Sequence, residues 1–310
     1  MTHPIEYRSP LPATEGGRRT VVPRWMVHFA LILLCALAVA PFIWMLSTSL
    51  KTDENTMQAP PQLIPHPVAV ENYHDVVLGR DASKGGTSSS SSHFLLWTRN
   101  TLLVTTLTVL GTTLSSAVVA YGFARIRFRG RGFLFTIMIA TMMVPFPVTM
   151  VSLFAIFRWL HDTTGIEFIG TFRPLWVPAW FGSAYSIFLL RQFFLTIPEE
   201  LSEAARIDGC SELGILVRII IPLAKPALTV VALFSFMASW NDFLGPLVYV
   251  QRPEQFTLAL GLQSFQSQLG GSQWNLLMAA GILVILPVLL LFFLAQKTFI
   301  AGISTTGIKG

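Results

Sequence analysis

Long uninterrupted apolar blocks constrain this chain more than any other feature. Residues 26–45, 101–123, 133–157, 227–250 and 276–295 are apolar runs almost devoid of Asp, Glu, Lys and Arg. At 1.5 Å of rise per helical residue, a run of ~20 residues crosses the ~30 Å hydrocarbon core of a bilayer. Hydrocarbon offers a backbone no hydrogen-bond partner, so each block is expected as a helix and not as a lone strand. A sixth block, 175–190, has its start interrupted by Pro174 and Pro178 and is expected as a weaker span. Of the 310 residues 53% are apolar and 12% charged, about half the charged share of a soluble domain. The expected class is an all-α integral membrane protein with six transmembrane helices.

The first block follows an Arg-containing tail but exceeds the roughly 7–15 apolar residues of a secretory signal core, so it is expected as an uncleaved span. Cys35 inside it and Cys210 in a polar loop suggest neither a disulfide nor a metal cluster, and no metal ligand set is expected. Six spans put both termini on one side. Of the 21 Lys and Arg residues, 14 fall on the side of the termini and seven on the other. Cytoplasmic loops carry the Lys/Arg excess, so both termini are expected in the cytoplasm. The net charge of +5 reflects this asymmetry, and a basic patch with readout residues for nucleic acid is missing. The stretch 85–92 is a Gly/Ser run expected as a flexible insertion in the first outer loop. The outer loop 251–275 interleaves Gln and Ser with Phe256, Phe265 and Trp274, which suits either a protein contact or the lipid interface.

Between the fourth and fifth spans lies a short polar segment with complete helix punctuation. Pro198 suits a first helical position, Glu199 and Glu200 the positive end of the helix dipole, and Gly209 a left-handed cap. Leu201, Ala204 and Ala205 are expected on one face, where two alanines let another surface approach closely. A second amphipathic stretch, 213–221, is expected to stop before Pro222. From physics alone a hairpin lying in the headgroups competes with a docking element.

The sequence Glu203-Ala204-Ala205-x-x-Asp208-Gly209 with Pro222 downstream resembles the EAA loop of bacterial ABC-importer permeases. The likeness runs from about residue 100 to the C-terminus and includes Tyr121-Gly122-Phe123-Ala124-Arg125 and Trp240-Asn241-Asp242. It is nearest to the carbohydrate branch, on the maltose-type side. The insertion at 85–92 departs from that branch's compact first loop. The resemblance implies a type I ABC-importer permease fold: a cytoplasmic tail (1–25), a first span (26–47), a long external loop (48–98), a core permease domain (99–297) holding the coupling loop (196–225) and external loop (251–275), and a C-terminal tail (298–310). It also implies contacts with an ATPase subunit by Glu203, packing by Leu201, Ala204 and Ala205, and a turn fixed by Asp208 and Gly209 with Pro222 beyond it.

No Gly-Lys-Ser or Gly-Lys-Thr occurs, so no phosphate-binding loop is present and the chain is not expected to be an enzyme. No cofactor is expected here; ATP and Mg would be bound by partner subunits. The implied partners are a second related permease, two ATP-binding-cassette ATPases, an extracytoplasmic solute-binding protein and lipid, in the cytoplasmic membrane of a bacterium or archaeon. The implied cargo is a sugar or oligosaccharide; polyamine, amino acid or glycerol phosphate importers share the loop. An ion-driven carrier would show an inverted repeat and charged midplane groups, and no convincing repeat is found. Asp242 is an intramembrane charge and hence a candidate for the pathway or a gate, with Asn241 and Trp240 beside it, although capping a helix break would also account for it. Pro145 and Pro147 are expected to kink the third span and could shape a gate. Gly111, Ser115 and Ala120 are small positions suited to close helix packing.

Overall fold

The computed structural model describes residues 23–79, 93–266 and 272–306; the Gly/Ser run 85–92 lies outside them. The regular structure of the described residues is helical. The principal elements are α1 (Arg24–Ser49), α2 (Glu71–Leu78), α3 (Phe94–Arg125), α4 (Arg131–Thr141), α5 (Phe146–Thr164), α6 (Ala184–Thr196), α7 (Glu199–Ile207), α8 (Glu212–Leu223), α9 (Lys225–Trp240), α10 (Leu244–Tyr249) and α11 (Trp274–Thr306).

The chain divides into two compact units, residues 1–44 and 45–310. In the first, the described residues form most of α1, whose side chains are exposed from Arg24 to Trp44. A helix apolar all round and exposed all round suits lipid.

In the second unit α3 is the mast. Both α6 and α9 pack along it, and the helical turns Arg173–Trp176 and Val177–Phe181 cross its middle. Small residues permit this approach. Gly111 lies so close to the Trp180 indole that a Cβ there would overlap it, Ser115 Oγ donates to Gly111 O at 2.6 Å and Ala179 O at 3.2 Å, and Ala120 is fully buried.

One end of α3 joins α6, α8 and α9 in a core of Tyr121, Leu190, Phe194, Ile215 and Ile220. Near its other end Phe94 and Trp97 pack with Leu258, Phe265 and Leu276. There the loop after α10 is fastened by hydrogen bonds: Trp97 Nε1 donates to Pro253 O at 2.8 Å, Asn100 Nδ2 to Glu254 O at 2.8 Å, and the Leu258 amide to Thr101 Oγ1 at 2.7 Å. Phe265 is therefore a core residue and does not rest on the lipid interface.

Three helices among the described residues, α1, α3 and α11, are long and apolar enough to cross a membrane, and up to five spans result if each of two bent pairs is one. The third span, expected to be kinked, is instead α4 and α5, bent by 101°. Pro145 caps the start of α5 and Pro147 sits in its first turn, so two missing amide donors break the ladder and a mere kink gives way to a corner. The fifth block is likewise split into α9 and α10 at residues 241–243. The sixth block begins later than expected, at Ala184, and has 13 residues, about 20 Å. Pro174, Pro178 and Gly182, at φ +90°, hold the preceding stretch in short turns.

Candidate functional sites: the 196–225 loop and a cavity beside α3

The loop helix α7 is anchored from behind. Ser202 and Ala205 are buried against the core that includes Phe194 and Ile215. At its end the Gly209 amide donates to Arg206 O at 3.0 Å and the Cys210 amide to Ala205 O at 2.8 Å, with Gly209 at φ +78°. These are the two bonds of a Schellman cap, which satisfy carbonyls that the helix leaves open.

Two expectations for α7 are corrected. Pro198 is the N-cap residue and Glu199 is the first helical one. Ala205 points inward, while Leu201 and Ala204 point outward with Ile207, which is 87% exposed. The reason is angular: at 100° per residue Leu201, Ala204 and Ile207 centre on the side opposite Ser202, and Ala205 lies at the margin of the inner face. Glu203, Asp208 and Gly209 are exposed, so α7 offers a low apolar strip flanked by acids.

The next helix, α8, contains a π turn over Leu216–Ile220 and bends by 82° from α9. Pro222 was expected to end the stretch from outside, yet it lies within the last turn, and the break falls at Ala224. A proline at 222 has no amide for the Arg218 carbonyl, and the wider π spacing just before it accommodates that loss. Ser211 caps the start, accepting from the Gly214 amide at 3.2 Å.

Four residues that sequence reasoning did not single out as site residues tie this loop together and to the spans. Glu212 accepts a hydrogen bond at 2.5 Å from the Tyr121 hydroxyl of α3. It also accepts from Arg206 Nε of α7 at 2.7 Å. The Arg206 bond, then the Tyr121 bond, hold the Glu212 carboxyl below its ordinary range, and Glu212 raises the already high affinity of Arg206 for its proton. Arg125, buried, donates to Phe194 O at 2.7 Å and to Ile197 O, two carbonyls at the end of α6. A cation there faces the negative end of the helix dipole. The spacing of Tyr121 and Arg125, one helical turn apart, was the available signal.

The intramembrane candidates are not gathered in one place. Trp240 is 1% exposed, stacks on Phe236 at 5.2 Å and donates to Val284 O at 3.2 Å. Asn241 is exposed and donates to Met237 O at 2.8 Å. Pro145 and Pro147 are exposed at the corner between α4 and α5. Asp242 accepts from the Gly245 amide at 3.0 Å and so caps α10, the structural role foreseen for it. It also lines a cavity of about 440 Å³ with Thr108, Thr112, Ser183, Tyr185, Phe234 and Ser235 among others. Thr108 and Thr112 lie halfway along the 32-residue α3. No group of three or more His, Cys, Asp or Glu among the described residues could hold a metal ion.

Residues 98–305 match the family described as binding-protein-dependent transport system inner membrane component. The arabinooligosaccharides transport system permease protein AraQ of Bacillus subtilis (strain 168) is 35% identical over 222 residues, 72% of this chain and 76% of that protein. The trehalose/maltose transport system permease protein MalG of Thermococcus litoralis (strain ATCC 51850 / DSM 5473 / JCM 8560 / NS-C) is 29% identical over 295 residues, 94% of this chain and 99% of that protein. A chain from the crystal structure of a bacterial ABC transporter involved in the import of the acidic polysaccharide alginate superposes with a TM-score of 0.71 at 23% identity, covering 92% of this chain and 99% of that one.

Proposed function

The chain belongs to the family of binding-protein-dependent transport system inner membrane components, and from that premise we propose that it is a permease subunit carrying a sugar or oligosaccharide into the cytoplasm. It works with a second, related permease, two ATPase subunits that bind ATP and Mg, and an extracytoplasmic solute-binding protein. The likeness to AraQ, an arabinooligosaccharide permease, and MalG, a trehalose/maltose permease, supports a carbohydrate cargo over a polyamine, amino acid or glycerol phosphate. Both termini and the 196–225 loop face the cytoplasm, and α6, with the turns before it, completes six spans.

The observation that carries this reading is the two-sided character of α7. Its inner face is fixed by Ser202, Ala205, the Schellman cap and the Arg206–Glu212–Tyr121 linkage. Its outer face presents Leu201, Ala204 and Ile207 beside Glu203 and Asp208. A helix clamped behind and bare in front transmits a push as a lever does. Closing of the ATPase pair would move α7 and, through Tyr121 and Arg125, α3 and α6. That is rigid-body motion about packed interfaces. Asp208 and Gly209 hold the turn, and Pro222 shapes α8 behind it. Asp242 with Asn241, Trp240, Pro145 and Pro147 mark the breaks in α4–α5 and α9–α10 where such motion opens a path.

The test is co-purification with the ATPase and companion permease from membranes, together with ATP hydrolysis. Glu203→Lys with Ala204→Trp is expected to insert normally in the membrane and to lose the ATPase. Retention of the ATPase with normal hydrolysis would remove α7 from the coupling interface.

A further inference from the structure

The turn between α3 and α4 gathers positive charge that the coupling role of α7 leaves unexplained. It reads Ile126-Arg127-Phe128-Arg129-Gly130-Arg131-Gly132-Phe133 and lies at the end of α3 that packs on α8. Gly130, at φ +84°, reverses the chain there, so the three arginines stay together on one short turn. The second half of α6 adds a fourth, Arg191. Its guanidinium sits 4.2 Å from the centre of the Phe135 ring, and its Nε donates to Phe123 O at 3.2 Å. Phe123 packs on Phe128 and Phe135 with ring centroids 6.0 and 5.4 Å apart, and Phe135 stacks on Phe188 of α6 at 6.4 Å. This aromatic cluster holds the basic turn against α6.

Like charges held together call for a counter-charge. Arg127 has one, Glu199 at the start of α7, 3.8 Å away. Arg129, Arg131 and Arg191 make no ion pair among the described residues. Arg131 is near enough to repel Arg191, and no acid acts on Arg191 to offset it. Beside the low dielectric of a membrane such repulsion is weakly screened, so the arrangement favours an anion supplied from outside the chain. Guanidinium groups present paired N–H donors that match the oxygens of a phosphate.

The surroundings select the kind of phosphate. Ile126, Phe128 and Phe133 are exposed among the arginines, Phe133 at 71%, and the membrane-crossing helix α3 runs directly into the turn. Apolar and aromatic side chains beside cations at the end of a span belong at the level of the lipid headgroups. A phospholipid offers a phosphate to the cations and acyl chains to the rings at once. Each arginine close to an anionic lipid surface strengthens that attraction about fivefold.

We infer that Arg129, Arg131 and Arg191 form a headgroup site for an anionic phospholipid, with Phe128 and Phe133 against its acyl chains. The site goes beyond the importer reading and depends neither on the cargo nor on docking of the ATPase. The test is native mass spectrometry of the purified permease complex, stripped of lipid in neutral detergent and titrated with equal amounts of phosphatidylglycerol and phosphatidylcholine bearing the same acyl chains. About tenfold more phosphatidylglycerol than phosphatidylcholine is expected to stay bound. Arg129→Gln breaks no contact within the chain and is expected to lower this preference about fivefold. Arg129→Gln with Arg131→Gln is expected to abolish it. Arg158→Gln with Arg252→Gln, which removes two charges from a pocket elsewhere in the fold, is expected to leave it unchanged. Glycerophosphoglycerol, the headgroup without acyl chains, is expected not to compete at equal concentration.

Equal retention of the two lipids, a preference that survives loss of Arg129 and Arg131, or one that the distant pair lowers equally, overturns the site. Competition by glycerophosphoglycerol would make it a site for free anions and remove the lipid. A Gln pair that loses the ATPase in lipid-free micelles would assign the turn to the ATPase contact and overturn the lipid site as well. Assembly of the wild-type chain with the ATPase is read from the same spectra, so failure of the importer reading and failure of the lipid site are told apart.

Discussion

Glu212 joins three helices through one carboxylate: its own α8, α3 through Tyr121 at 2.5 Å, and α7 through Arg206 at 2.7 Å. Both bonds are charge-assisted, stronger and shorter than neutral ones, although the pair is about 35–45% exposed and solvent screens it. The sign of its pH dependence follows from the depressed carboxyl. A group held below its unfolded value, about 4.3 for Glu, contributes stability that is present above that value and lost as the pH falls through the folded one. Thermal melts of the purified permease are therefore expected to drop as the pH is lowered below about 4.3. In Glu212→Gln the part of that drop due to this group vanishes; an identical pH profile in the variant would remove Glu212 from the linkage. Tyr121→Phe keeps the packing of the ring and is expected to cost about 1–2 kcal/mol, since the carboxylate loses its best donor apart from Arg206.

The two alanines of α7 look interchangeable in sequence and are opposites in the fold. Ala205→Trp pushes an indole into the core beside Phe194 and Ile215, and is expected to cost at least about 1–3 kcal/mol in thermal unfolding of the isolated permease. Ala204→Trp points outward and is expected to leave the melt within about 0.5 kcal/mol while removing the ATPase in co-purification. Equal melting of the two variants would reverse the assignment of faces. Gly209→Ala isolates backbone strain, because a Cβ there meets nothing within 4 Å yet must sit at φ +78°, a cost of roughly 1–2 kcal/mol. The existence of α7, its acidic start and its glycine end were legible because capping is local chemistry. Which alanine faced in was not, since Ser202, nearer Ala205 than Ala204 on the helical wheel, decided the inner face and its burial depends on the surrounding helices. The same division holds for the spans. Blocks 101–123 and 276–295 read correctly from hydropathy as parts of α3 and α11. The corner between α4 and α5 was visible as Pro145 and Pro147, but the size of the bend is set by packing beyond the prolines. The cavity wall was hidden because Ser183 and Ser235 acquire meaning only when α6 and α9 bring them together.

A single axis organises the second unit: α3 meets the α7–α8 loop at one end, lines the Asp242 cavity midway, and at the other end holds the loop after α10. The path of the membrane along this axis turns on two crossings. The α4–α5 pair, bent by 101°, either crosses or re-enters, and α6 at 13 residues spans only about 20 Å alone. A short helix can complete a crossing where the flanking backbone lines protein or a wet cavity, and Ser183, just before α6, does line one. Exposed positions decide both questions. In a chain with Cys35 and Cys210 replaced by alanine, single cysteines at Ile207, Ile166 and Gln263 are all accessible. A membrane-impermeant maleimide is expected to label Ile207→Cys only in inside-out vesicles, and Ile166→Cys and Gln263→Cys only in right-side-out ones. Opposite sides for 166 and 207 require that α6 and its preceding turns cross. Opposite sides for 207 and 263 require the same of α9 and α10. If Ile166→Cys labels with Ile207→Cys, α4 and α5 form a re-entrant hairpin, neither they nor α6 crosses, and the six-span count falls to four.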